Sequence, residues 1–126
     1  MLRDYFDQAK GTGILATASK DGEVNMAIYA RPHFMEDGSL AFIMRDRLTH
    51  ANLVENPKAC YLFKEETGYK GKRLYLTKIG EEKNTEQLYS LLRRTYPNNQ
   101  YDKENLFLVF FRLERERPIL SVNDQG

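Results

Sequence analysis

The sequence predicts a mainly β (α+β) fold: a small six-stranded antiparallel β-barrel, closed or split, with three short flanking helices. Three observations point there. Asp21-Gly22 and Asp37-Gly38 are turn signals set between strand-like runs, so the first three strands form a meander. The hydrophobic period changes from that of a strand to that of a helix in only three stretches. Leu40 to Met44, Ala59 to Phe63 and Leu106 to Phe111 are apolar on both faces, as strands are when one face lines an interior and the other is covered.

Each element has its own local reason. Leu2, Tyr5, Phe6 and Ala9 follow the i, i+3, i+4, i+7 spacing of a one-faced helix, which Gly11 and Gly13 stop. Ile14 to Ala18 is the first strand. Glu23 to Met35 alternates, with Val24, Met26, Ile28 and Ala30 on one face and Asn25, Ala27, Tyr29 and Arg31 on the other. It forms one long second strand, with Pro32 at a bulge or an unpaired edge position. Leu40 to Met44 is the third strand. Leu48 to Asn56 is a short helix ending at Pro57, and Ala59 to Phe63 and Arg73 to Ile79 are the fourth and fifth strands. A helix from Thr85 to Tyr96 places Leu88, Leu91, Leu92 and Tyr96 on one side. Asn84 as N-cap with Gln87 three residues on resembles a capping box; Arg93 and Arg94 suit the helix dipole, and Pro97 ends the element. Asn98 to Asp102 reads as a surface loop. Leu106 to Leu113 closes the set, and Arg112 to Arg117, alternating in sign, reads as its solvated end.

At 126 residues and 14.8 kDa the chain is one domain, spanning 1–126, that buries roughly two-thirds of its unfolded surface. Hydrophobic residues at 41% and charged residues at 29% argue against disorder. Lys and Arg total 19 against 18 Asp and Glu, a net charge of +1 that gives nucleic-acid binding by bulk charge no support. Cys60 is the single cysteine, which fits a reducing cytoplasm or simple indifference to redox, and no apolar run approaches the ~20 residues of a membrane span. Asp4 and Asp7 stand where a secretory signal has a basic patch, so a soluble cytoplasmic protein is expected. His33 and His50 are the only histidines, and no Cys/His cluster has zinc-ligand spacing, so no metal site is expected. The outward apolar faces need more cover than three helices supply, which leads to a homodimer.

The stretch Met44-Arg45-Asp46-Arg47-Leu48-Thr49-His50-Ala51-Asn52-Leu53 carries the candidate site. Thr49 is placed to N-cap the short helix, with Leu48 and Leu53 as a hydrophobic staple. Arg45 and Arg47 lie within four residues of it. Unpaired helix N–H groups, a hydroxyl and guanidinium forks on one spot suit a phosphate monoester. The alternative is that Thr49 only caps and the arginines pair with Asp46 or Glu55 in solvent. His50 is either a further phosphate donor or a surface residue.

The order of helix, Gly13-Ile14-Leu15-Ala16-Thr17-Ala18 strand, Asp-Gly turn, long strand, Asp37-Gly38-Ser39-Leu40-Ala41-Phe42 and then Arg45-x-Arg47-Leu48-Thr49-His50-x-Asn52-Leu53-x-x-Asn56-Pro57 resembles the pyridoxamine 5′-phosphate oxidase-like FMN-binding split barrels. The resemblance runs over nearly the whole chain, through Gly71 to Leu76 and the closing Leu106 to Leu113. It implies a split barrel that binds FMN in a groove at a homodimer interface. It sets Ala27, Ile28, Tyr29 and Ala30 beside the isoalloxazine ring and Arg45, Arg47, Thr49 and His50 at the phosphate. Asn52 then buttresses the turn, and Arg73 offers a polar contact to the ring or ribityl chain. Family members commonly carry Arg-Lys or Lys-Thr where this chain has Leu48-Thr49. Thr49 matches the second form, but Leu48 binds no anion; either Arg45 and Arg47 replace it or the phosphate site is weakened. The longer C-terminal part that brings substrate-binding arginine and histidine to the true oxidases has no counterpart here, so vitamin B6 oxidation is not expected.

Cys60, in an apolar strand, reads as a small buried hydrophobe rather than a nucleophile. Glu65 to Lys72 reads as a solvated loop, or as a flap presenting Tyr69 or Lys70 to a substrate. The function expected is that of a flavoprotein acting on a small molecule or carrying electrons, with substrate and electron donor open and no nucleic acid or membrane as partner. A deazaflavin or haem is the alternative within the fold, and a single-stranded nucleic-acid-binding barrel the alternative outside it.

Overall fold

The computed structural model describes residues 1–95 and 105–120. Helix α1 (Leu2–Gln8) precedes β1 (Gly11–Ala18), β2 (Val24–Ile28), β3 (His33–Phe34) and β4 (Leu40–Arg45). Then come α2 (Leu48–Glu55), β5 (Lys58–Glu65), β6 (Gly71–Lys83), α3 (Glu86–Thr95) and β7 (Leu106–Pro118). The strands form one antiparallel seven-stranded sheet in the order β2-β1-β5-β6-β7-β4-β3.

The count is seven strands, not the six expected, because the second strand divides. Residues 24–28 pair with β1, whereas His33 and Phe34 pair with Ala41 and Leu40 of β4, at the opposite edge of the sheet. The physical cause lies in the four residues between. Pro32 has no N–H to continue a ladder. The guanidinium of Arg31 folds back to the carbonyls of Phe6 and Ala9 at 2.7 and 2.9 Å, where α1 ends. The two sheet edges are therefore consecutive in the chain, and residues 29–32 form the seam between them.

The sheet curls around one core. Tyr61 on β5 and Phe42 on β4 are three strands apart in the sheet, yet their ring centroids are 5.1 Å apart. Leu15, Phe63, Leu74, Leu76, Val109 and Phe111 share that interior, and Phe6 of α1 plugs one end against Phe34 and Phe63. Gly13 must lack a Cβ because one there would overlap the Tyr61 hydroxyl. Beyond their apolar centres, β6 and β7 run longer than expected, paired out to Lys72 and Pro118 through polar residues that give no hydrophobic signal. Arg112 to Arg117 lies within β7, four of its six residues exposed charges as expected, with Arg112 2.9 Å from Glu114.

Two outer faces differ. On β4 and β7, Ala41, Leu106 and Leu108 pack under Leu88, Leu91 and Leu92 of α3, so this face has its cover within the chain. α3 is capped one residue later than the sequence suggested. The Thr85 hydroxyl accepts from the Leu88 N–H at 3.2 Å, while Asn84, at φ 51, uses its carboxamide oxygen to accept from the Leu106 N–H. Tyr96, Pro97 and the loop expected at Asn98 to Asp102 lie outside the described residues. The other outer face is the register row Met26, Ala16, Cys60, Tyr75 and the neighbouring row Ile28, Ile14, Leu62, Arg73. At its edge Val24, Met26 and Ile28 are 82%, 70% and 79% exposed.

Candidate functional site

The position of α2 is set by a buried polar pair. Asn52 Nδ2 donates to Thr17 Oγ1 on β1 at 3.1 Å, and both residues are buried. At its other end the helix follows β4 through a tight reversal in which the Arg47 N–H donates to the Arg45 carbonyl at 2.9 Å. Arg47 is the N-cap residue, with extended backbone and no side-chain cap, and the first turn holds no acid. Thr49 is therefore not the cap that its residue type suggested. It is the second helical residue, buried, and its hydroxyl hydrogen-bonds that of Tyr29. Leu48, expected before the cap, is the first helical residue and is exposed. A guanidinium cannot accept from the first-turn N–H groups, so the helix start keeps its positive partial charge.

A groove of about 500 Å³ opens in front of this turn. One wall is the chain from Asn25 to Arg31, the other is Phe42 to Arg45 with Arg47, Leu48 and Thr49. His33 and Thr95 also line it. Because His33 pairs with Ala41 and Arg45 is four residues further along β4, the groove spans about 13 Å between them at ~3.3 Å per residue. Burial raises the Tyr29 pKa, an effect opposed by the Thr49 hydrogen bond and the charge of Arg47. Tyr29 stands edge-on to Phe42, centroids 6.0 Å apart, and the influence of Arg47 and Thr49 on its phenol sets the hydroxyl at the cationic end of the groove.

Seven of the ten residues singled out from the sequence line this groove: Ala27, Ile28, Tyr29, Ala30, Arg45, Arg47 and Thr49. The other three lie elsewhere. His50 is buried behind the helix turn, its ring stacked on Phe107 at 3.7 Å and Nε2 2.9 Å from Glu81 Oε1. Hydrogen bonds from Lys78 and His50 outweigh the effect of burial and hold the Glu81 carboxyl below its usual range. Asn52 is the tie to β1 described above. Arg73 is on the outer face of β6, with Nε donating to the Pro118 carbonyl at 3.0 Å. Arg31, His33 and Thr95 line the groove without having been singled out for it. The proline after Arg31 was the available signal, since it marks where the strand must leave its ladder.

The remaining singular residues are structural in their contacts. Cys60 is half-buried on the outer face, its pKa raised by burial against the opposing charges of Arg73 and Arg115. Glu65 to Lys72 turns at Gly68 and is tied to the α1 end of the barrel, where the Tyr5 hydroxyl donates to Glu65 at 2.7 Å; none of these residues lines the groove. No described helix is long and apolar enough to cross a membrane.

The sequence matches no protein-family model and no curated protein. Solved structures do resemble it. An FMN-binding protein from Syntrophomonas wolfei subsp. wolfei superposes with a TM-score of 0.76 at 20% identity, covering 96% of this chain and 85% of that one. A structure named as a candidate pyridoxamine 5′-phosphate oxidase, from Lactobacillus delbrueckii, has a TM-score of 0.67 at 14% identity, covering 90% of this chain and 88% of the other. An F420 reductase has a TM-score of 0.64 at 18% identity, covering 87% and 91%. The chain has the split-barrel fold of the pyridoxamine 5′-phosphate oxidase-like proteins.

Proposed function

We propose that this chain is an FMN-binding flavoprotein that holds its cofactor in the groove between β2 and the start of α2 and acts as a small-molecule oxidoreductase or electron carrier. The observation that carries the reading is the convergence of Arg45, Arg47, Thr49 and the Tyr29 hydroxyl on a helix N-terminus without a side-chain cap, at one end of a groove of about 500 Å³. The donor set fits the group: N–H groups, hydroxyls and guanidinium forks suit a phosphate dianion, and the volume falls in the ~300–1,000 Å³ range of small-molecule sites. Arg45 and Arg47 stand in for the basic residue that Leu48 does not supply. Bound FMN supplies the hydride and single-electron chemistry. Residues 27–30 give the ring a wall: β2 is a sheet edge, so some of its backbone N–H and C=O groups face away from β1 and are open to a ligand. Tyr61 fixes that wall from behind.

The same reading includes a homodimer. Val24, Met26 and Ile28 form an exposed apolar edge continuous with Ala16, Ile14, Cys60 and Leu62, and a second copy is the economical cover for it. Arg73 lies on that face, so it reaches a groove only from the partner. Cys60 as the lone thiol fits the cytoplasm. The F420 reductase fold favours a deazaflavin as the second reading, with the same cationic end holding its phosphate.

The test is retention. The purified protein is mixed with FMN, passed through a desalting column and read in the visible range. Flavin absorbance that stays with the protein supports the assignment, and absorbance that elutes entirely with the small molecules overturns it.

A further inference from the structure

The groove has a second charged end that the cofactor reading leaves unused. At the seam, two smaller cavities of about 370 and 240 Å³ share His33, Thr95 and Arg94, and His33 and Thr95 also line the main groove, so the three spaces adjoin. In the 370 Å³ cavity the charged groups are Arg31, Arg94 and Asp7; in the 240 Å³ cavity they are Arg3, Arg94 and Asp7. Each therefore carries two guanidinium groups against one carboxylate. Arg31 is held by the carbonyls of Phe6 and Ala9, which leaves it as a fixed positive charge rather than a mobile hand. Arg94, in the last turn of α3, is exposed and has no such carbonyl anchor among the hydrogen bonds of the described residues. Burial, and then the charge of Arg94, lower the pKa of the half-buried His33 imidazole, which favours the neutral ring with one N–H to offer and one nitrogen to accept.

We propose that this seam end is a second anion-binding site, taking the carboxylate of a small molecule whose body lies in the groove toward Tyr29. Arg94 supplies the planar two-donor fork that matches a carboxylate, Arg31 the fixed charge and His33 a ring N–H, while the Thr95 hydroxyl, which donates to the Leu91 carbonyl at 2.9 Å, only lines the space. The separation of about 13 Å between His33 and Arg45 keeps this ligand clear of a phosphate held at α2. Asp7, the one acid in both cavities, disfavours a dianion and so selects a singly charged group. That this ligand is the substrate rests on the flavin reading; that it binds does not.

Benzoate and benzyl alcohol are the probes, titrated by calorimetry at low ionic strength into the wild-type protein, Arg94→Gln and Arg94→Lys. The expected result is a preference for benzoate of about tenfold in the wild type, the scale of one charge-assisted hydrogen bond, absent in R94Q and partly kept in R94K. FMN retention, read separately by absorbance, is the same in all three. Equal binding of the two probes to the wild type, or an undiminished preference in R94Q, overturns the site. Loss of FMN retention with the benzoate preference intact overturns the flavin reading instead and leaves the carboxylate site standing.

Discussion

The phenol of Tyr61 lies within hydrogen-bonding distance of the main-chain carbonyl of Tyr29, at 3.2 Å, and reaches that of Ala30 at 3.1 Å. One buried side chain on β5 thus holds the seam where β2 leaves its ladder, and with it one wall of the groove. Removing the hydroxyl in Tyr61→Phe leaves both carbonyls without that donor. The expected cost is about 1–2 kcal/mol in a denaturant titration, with FMN and riboflavin weakened alike because the wall, not the phosphate end, has loosened. An unchanged midpoint contradicts the role given to Tyr61.

The Asn52–Thr17 bond carries a second expectation. Asn52→Ala leaves the Thr17 hydroxyl buried without its donor and is expected to lose about 1–3 kcal/mol. Replacing both partners with apolar residues, Asn52→Leu with Thr17→Val, is expected to recover part of that loss. If the double variant is less stable than the single one, the pair is not what fixes α2 to the barrel.

Much of this was legible in the sequence, and the exceptions have physical causes. The alternation is real through residues 24–30 and stops there, but alternation reports which way side chains face and not which strand they pair with. It could not show that residues 33–34 had crossed to the far edge of the sheet. Pro32 and Arg31 decide that, one by lacking a donor and the other by bonding the end of α1. The two-faced apolar strands were visible, yet their cover was assigned too generally: α3 covers β4 and β7, and the uncovered face is β2, β1, β5 and β6. At the candidate site, the residue types Arg-x-Arg-x-Thr mark the groove wall and the cap assignment does not hold, because the half-buried Tyr29 takes the Thr49 hydrogen bond that spacing alone would give to the backbone. His50 and Arg73 could be separated from the groove only by knowing which face each strand and helix turns inward.

His33 gives a pH signature. Its pKa is lowered in the folded chain by burial and by Arg94, relative to 6.5 for the free side chain. Between the folded value and 6.5 the unfolded chain binds more protons, so stability falls as pH drops through that window. His33→Gln is expected to flatten this part of the stability–pH curve, measured as denaturation midpoints from pH ~7.5 down to ~5, the range about the unperturbed histidine value. Parallel curves for the two proteins contradict it.

The exposed edge of β2 makes the oligomer testable. Sedimentation of the wild type at micromolar concentration is expected to give a dimer, and Met26→Asp, which sets a charge at the centre of the apolar row, a folded monomer. Flavin retention is expected to weaken in the same variant. A wild-type monomer that still retains FMN separates the cofactor site from the proposed interface.

A phosphate held at the start of α2 is tested by comparing FMN with riboflavin on Arg47→Ala, because the two ligands differ only by that group. The expected result is FMN weakened by about 1–3 kcal/mol, the loss of a charge-assisted hydrogen bond, with riboflavin affinity nearly unchanged. Equal losses for both ligands, or no loss for either, contradict it.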